Sequence, residues 1–213
     1  MASAIIHLCV AKKVNNYLQM DERTLSIGAI APDIAKQIGE PKNKSHFMKE
    51  NDSEYCYPDC DAFVKKYRSE LDKPFEMGYL IHLLTDYYWF KYYINKYINR
   101  YSKDNDIDYT AMKSIIYNDY TKLNQRLIDD YMLDLYFFCN EMELPKSKIT
   151  EIPMDKLQII IDKMGLIIQN VKTAKPVIMN EDEIIDFIEH ISNVIIDDLN
   201  QYGLIKEKQW KKD

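Results

Sequence analysis

Glycine and proline are scarce in this chain, at 5 and 7 of 213 residues, where average usage is roughly 7% and 5%. So few turn formers, set against abundant Lys, Glu, Asp, Ile, Leu, Met and Tyr, point to an all-helical protein. A basic excess is also missing. The formal net charge is −6, which argues against stable binding to a nucleic-acid backbone, although not against a nucleotide held through a metal. No uncharged apolar run reaches the roughly 18 residues that a spanning helix requires. The opening MASAIIHLCVAKKV has no basic leader, and His7, Lys12 and Lys13 interrupt its apolar residues, so a soluble, cytoplasmic protein is expected. Four cysteines are too few for a disulfide framework. Cys56 and Cys60, in CYPDC, are spaced more widely than a redox C-x-x-C and read as free thiols in or beside a loop, and Cys9 and Cys139 as small core residues.

What is present is enough to bury a core, since 46% of residues are hydrophobic and 29% charged. No repeat, linker or low-complexity tract divides the chain, so one helical domain over residues 1–213 is the simpler expectation. Its metal-site motifs fall in 1–90, a helical remainder in 91–205 and a charged tail in 206–213. Apolar spacing predicts a first helix from about Ser3 to Leu18. In the stretch from Leu25 to Gly39, Gly28 and Pro32 read as breaks, with Asp33 beside Pro32 as in a helix opening. Pro41 to Asp61 reads as a long loop. Helices are expected from Phe63, over Glu76 to Tyr101, across Ile107 to Glu143 as one or two, and near Met154 to Val171 and Glu181 to Tyr202.

Within the Glu76–Tyr101 helix lies GYLIHLLTDYYWF, which sets His82 and Asp86 four residues apart in an apolar run. That spacing puts both on one face, one turn apart. A buried aspartate there must be paired or placed in a wet cavity. Taken singly, His7, His46 and His82 each fit a core position, and Asp33 a helix start. Together, three imidazoles and two carboxylates suit Zn²⁺ or a similar divalent ion, in one site or two. The aromatic run Tyr87 to Tyr93 reads as core packing or as a wall for a ligand. His190, on a late amphipathic helix, reads as structural, and KEKQWKKD as a solvated tail.

An N-terminal helical histidine (His7), GAIAPDI (Gly28 to Ile34), S-H-F (Ser45 to Phe47) and G-Y-L-x-H-L-x-x-D-x-x-W (Gly78 to Trp89) form an ordered set. That set resembles the zinc-dependent phospholipase C family, related to the single-strand-specific zinc nucleases. The resemblance covers roughly the first 90 residues and implies a helical fold whose metal ligands are His7, Asp33, His46, His82 and Asp86. It also implies metal-dependent hydrolysis of a small phosphoester, in which Asp33 is either a ligand or the base that orients water. Two features depart from the family: no histidine lies between His82 and His190 to complete a third site, and the chain does not begin with tryptophan. One to two ions per chain are therefore expected, with Asp119 as a substitute ligand in the segment where the missing ones would fall. The other class of function open to this sequence is a non-catalytic binding or scaffold protein that keeps the fold and a structural metal.

Overall fold

In the computed structural model, which describes residues 1–48, 57–96, 98, 99, 101, 109–140, 143–169 and 174–205, helices dominate and no strand occurs among the described residues. A lone antiparallel bridge joins Met48 to Pro58. Helix α1 spans Ala4–Leu18, and Ser3 caps it by accepting the Ile6 amide at 3.2 Å. Helix α2 is Glu22–Ile30, capped by Asp21, whose side chain accepts the Thr24 amide. A 3₁₀ turn, Ala31–Asp33, with Pro32 near its start, leads to a short α3, Ile34–Gln37. Then come α4, Lys42–Ser45, α5, Cys60–Tyr67, and α6, Pro74–Tyr88, the last opening on a proline whose missing N–H costs nothing there. The C-terminal half supplies α7, Tyr109–Asp130, α8, Gln158–Gln169, and α9, Glu181–Gln201.

Several local expectations change. Gly28 does not break the chain; it sits inside α2, at the crossing with α6. A Cβ on Gly28 would lie 2.1 Å from the Phe75 carbonyl oxygen, and one on Gly78 would lie 2.1 Å from that of Leu25. Both glycines are helical because only a missing side chain lets the two backbones touch. Lys42–Ser45 is a helical turn, not part of a continuous loop, and α5 begins at Cys60 instead of Phe63. The long helix from Pro74 passes into a π-helical segment, Trp89–Ile94, where the Asn95 side chain donates to the Phe90 carbonyl. This turn directs Trp89 and Tyr93 inward, stacked with centroids 4.4 Å apart and packed against Phe187. Tyr92 of the same run is 59% exposed.

Helix α9 shows why the pattern was readable, since Ile184, Phe187, Ile188, Ile191, Ile195 and Leu199 recur at three and four and are buried. The expectation that Cys139 is a core residue is corrected: it ends the 3₁₀ turn Tyr136–Cys139 and is exposed. Its neighbours Phe137 and Phe138 take the buried positions because the turn's tighter period carries Cys139 past the core face. Cys9 and Cys60 are buried free thiols. Cys56, the stretch 102–108, Val171 and the tail 206–213 lie outside the described residues. No described helix is long and apolar enough to cross a membrane.

The crossing yields a stability prediction. Gly28→Ala should lower unfolding free energy by at least about 2 kcal/mol, because the added methyl meets backbone that cannot rotate away. Urea denaturation measures this; a change within about 0.5 kcal/mol would show that α2 and α6 do not touch at this point.

Candidate metal centre

Four separate segments bring five side chains together. His7 comes from α1, Asp33 from the end of the 3₁₀ turn, His46 from the residue after α4, and His82 and Asp86 from adjacent turns of α6. His7, His46, His82 and Asp86 are buried, while the Asp33 side chain, 15% exposed, forms the rim. Two overlapping sets, His7 with Asp33 and His82, and His46 with His82 and Asp86, have ligand atoms within 4.8 Å of one another.

The close helix crossing orients the central ring. It brings the Ala29 carbonyl, in the last turn of α2, within 2.7 Å of His82 Nδ1. A carbonyl only accepts, so Nδ1 carries the proton and Nε2 keeps its lone pair turned into the cluster. The arrangement is that of a metal-ligating histidine held by a backbone oxygen behind it. His46 is fixed comparably, with Ser45 Oγ 2.9 Å from its Nδ1, and Tyr79 donates its hydroxyl to the Ser45 carbonyl at 2.5 Å. After His46 the chain turns through Phe47, whose φ of 49° is unusual for an aromatic residue, and that ring is held edge-on against Phe63.

His46 Nε2, His82 Nε2 and Asp86 Oδ2 therefore face a common centre. Their separations are 3.2 Å between the nitrogens and 3.7 Å from each nitrogen to the oxygen. A triangle with those sides has its centre about 2 Å from every corner, the bond length of zinc to imidazole and carboxylate. Asp33 Oδ1 lies 3.6 Å from His46 Nε2 but groups with His7 and His82, outside the His46–His82–Asp86 set, and Lys42 already pairs with it. The other carboxylate oxygen, Asp86 Oδ1, accepts the Ala2 amide at 2.8 Å and stands 3.4 Å from His7 Nε2. His7 stacks on His82 with centroids 3.7 Å apart and planes within 10°.

Polar atoms here are left over. Asp86 Oδ2 and both ring nitrogens of His7 are buried without a hydrogen-bond partner, and such atoms are costly in an apolar interior. A divalent cation would satisfy a carboxylate oxygen and imidazole lone pairs at once, so the residues fit a metal.

Charge in the cluster follows from these contacts. Burial lowers the pKa of His82 well below the ordinary imidazole value, and stacked His7 lowers it further, against the opposing pull of Asp86 and Asp33. Burial would raise Asp86, but His7, the nearby terminal amine and His82 outweigh it and hold the carboxyl below its usual range. Asp33 is likewise kept well below that range, with burial outweighed by His46, Lys42 and His82. The centre thus combines ionised carboxylates with a neutral imidazole, the protonation states that metal binding needs.

Asp119 does not join either set. Its oxygens accept the backbone amides of Val177, Ile178 and Met179 at 2.7, 2.7 and 3.2 Å, and Lys122 stands 3.3 Å away. Its buried carboxylate anchors the segment that leads into α9, a role no local pattern around YNDYT announces. His190 is exposed on α9. The sequence reading missed the contributions of the backbone, the Ala29 carbonyl and the Ala2 amide, and it missed Lys42, whose ammonium pairs with Asp33 at 2.5 Å. A signal for Lys42 existed in its position four residues before His46. No family model, curated protein or solved structure matches the chain.

Two outcomes are expected. Asp119→Ala should cost about 2–3 kcal/mol in urea denaturation, because it strips three amides of their acceptor, while metal content stays at the parent value; a loss of metal would return Asp119 to the centre. The second concerns pH. Because the folded-state pKa of His82 is depressed, the unfolded chain binds the extra proton first below about pH 6.5, and stability falls as pH falls. Asp33 and Asp86 remain ionised over this interval, so they do not contribute to the slope. The chelated protein should lose up to about 1.4 kcal/mol per unit between pH 6.5 and 5.5; a urea midpoint constant over that interval would mean that His82 is charged in the fold.

Proposed function

We propose that this protein is a zinc-dependent phosphoester hydrolase of the phospholipase C type, acting on a small phosphoester. What carries the reading is the convergence of His46 Nε2, His82 Nε2 and Asp86 Oδ2 on a common centre, beside the partly open carboxylate of Asp33. The ordered motifs around these residues support the family type. Because His82 has only one nitrogen free, the two overlapping sets compete for it, and one tightly held ion is expected, with a weaker second at His7 and the remaining oxygen of Asp86.

A divalent cation bound there would lower the pKa of a bound water to about 7 and draw charge from a phosphoryl oxygen. The protein's own part is positioning. Asp33, kept ionised by His46 and Lys42, faces a cavity that the other ligands do not reach, and it orients the attacking water. Water's oxygen forms a bond to phosphorus as the bond to the leaving alcohol oxygen breaks. The proton released from water passes through Asp33 to the departing alkoxide, so the products are the alcohol and the phosphate.

The test is turnover of p-nitrophenyl phosphate and bis(p-nitrophenyl) phosphate by metal-replete protein. Hydrolysis of at least one should disappear on chelation and return with Zn²⁺. Asp86→Asn, which keeps the side-chain volume, should lose bound metal and at least about 100-fold in rate, while His190→Ala should match the parent. A folded protein that holds its zinc stoichiometrically and turns over neither ester would leave the site a structural metal centre in a binding protein.

A further inference from the structure

Asp33 is where the buried cluster meets a cavity of about 190 Å³. The chain as a whole is acidic, at −6, yet the cavity lining reverses the sign, with Lys36, Lys42 and Lys163 against a single carboxylate, Asp33. Lys42 already pairs with that carboxylate. Lys36 lies over the Tyr117 ring, 4.1 Å from its centroid. Among the described residues, neither Lys36 nor Lys163 has an ion-pair partner. Two ammonium groups without an ion-pair partner on the lining of one cavity favour an anion there.

The opposite wall is apolar. Ile160, Met164 and Ile167 recur along one face of α8, with Lys163 beside them, and Ile5 of α1 closes the floor. Asn124, 7% exposed, also lines the cavity, and its Oδ1 is buried without a partner. The Asn124 side-chain amide lines the cavity, and its Nδ2–H group is a donor for an acceptor oxygen of a ligand there.

We infer that this cavity binds a dianionic phosphate monoester of a small apolar alcohol, with the phosphate between Lys36 and Lys163, the alkyl or aryl group on the α8 face and the Asn124 Nδ2–H group donating to a ligand oxygen. A monoester carries close to two charges at neutral pH, matching the two free lysines, whereas a diester carries one. The volume admits a small organic group. This inference rests on the hydrolase reading for its setting beside Asp33, but the binding it asserts can be measured without turnover.

The probe is phenylphosphonate, which has the charge and apolar group of such an ester and cannot be hydrolysed, titrated calorimetrically into metal-replete protein. One molecule per chain should bind about tenfold more tightly than inorganic phosphate and than the monoanionic methyl ester of phenylphosphonate. Lys36→Gln with Lys163→Gln should weaken phenylphosphonate about tenfold or more and leave helix content and metal content unchanged. Ile160→Ser should remove the advantage of phenylphosphonate over phosphate and spare phosphate itself. Equal binding by the parent and the double lysine variant, or no preference for the phenyl group, overturns the inference. Ester hydrolysis indifferent to both lysines would leave the hydrolase standing without this pocket; tight phenylphosphonate binding without turnover of any ester would leave the pocket and remove the hydrolase.

Discussion

Where α2 crosses α6, Gly28 faces the carbonyl of Phe75 and Gly78 faces that of Leu25, so the two helices meet backbone to backbone. This contact does more than fill the core. Helices separated by ordinary side chains have axes 8–10 Å apart, and at such a distance the Ala29 carbonyl would not reach the His82 ring. Drawn close, it takes the Nδ1 proton and leaves Nε2 facing His46 and Asp86. The tautomer of His82 is thus set by helix packing.

The second constraint is electrostatic. Asp86 lies wholly inside an apolar helix and holds its charge with a single backbone amide, from Ala2, and with imidazoles around it. An interior carboxylate so thinly partnered costs stability unless a cation completes it. Burial first, and then the stacked His7 ring 3.7 Å away, lower the pKa of His82 and favour its neutral form. A bound ion would couple to the fold in consequence, because the groups that could hold it are those whose burial costs stability.

How much of this was legible in the sequence differed from residue to residue. The helices of the C-terminal half follow from apolar spacing, and α9 is the clearest instance. His7, Asp33, His46, His82 and Asp86 were found through their order and spacing, and the fold draws all five together. The failures share a cause, which is that tertiary contact outweighed local pattern. Gly28 read as a break because propensity says nothing of a neighbouring helix. Asp119 read as a substitute ligand or a solvated helix aspartate, and its burial was not legible because its partners, the amides of 177–179, come from a segment nearly sixty residues away. The lysines at the cavity, Lys36, Lys42 and Lys163, come from three separate helices, and no window of sequence contains them together.

The central proposal is that His46, His82 and Asp86 would hold one divalent ion. X-ray absorption at the zinc edge of the zinc-loaded protein tests it most directly, because it reports the ligand atoms themselves. The account predicts four or five nitrogen and oxygen neighbours at about 2.0–2.1 Å, with the outer-shell scattering of at least two imidazoles. Sulfur neighbours at about 2.3 Å, or an oxygen-only shell without imidazole scattering, would contradict it.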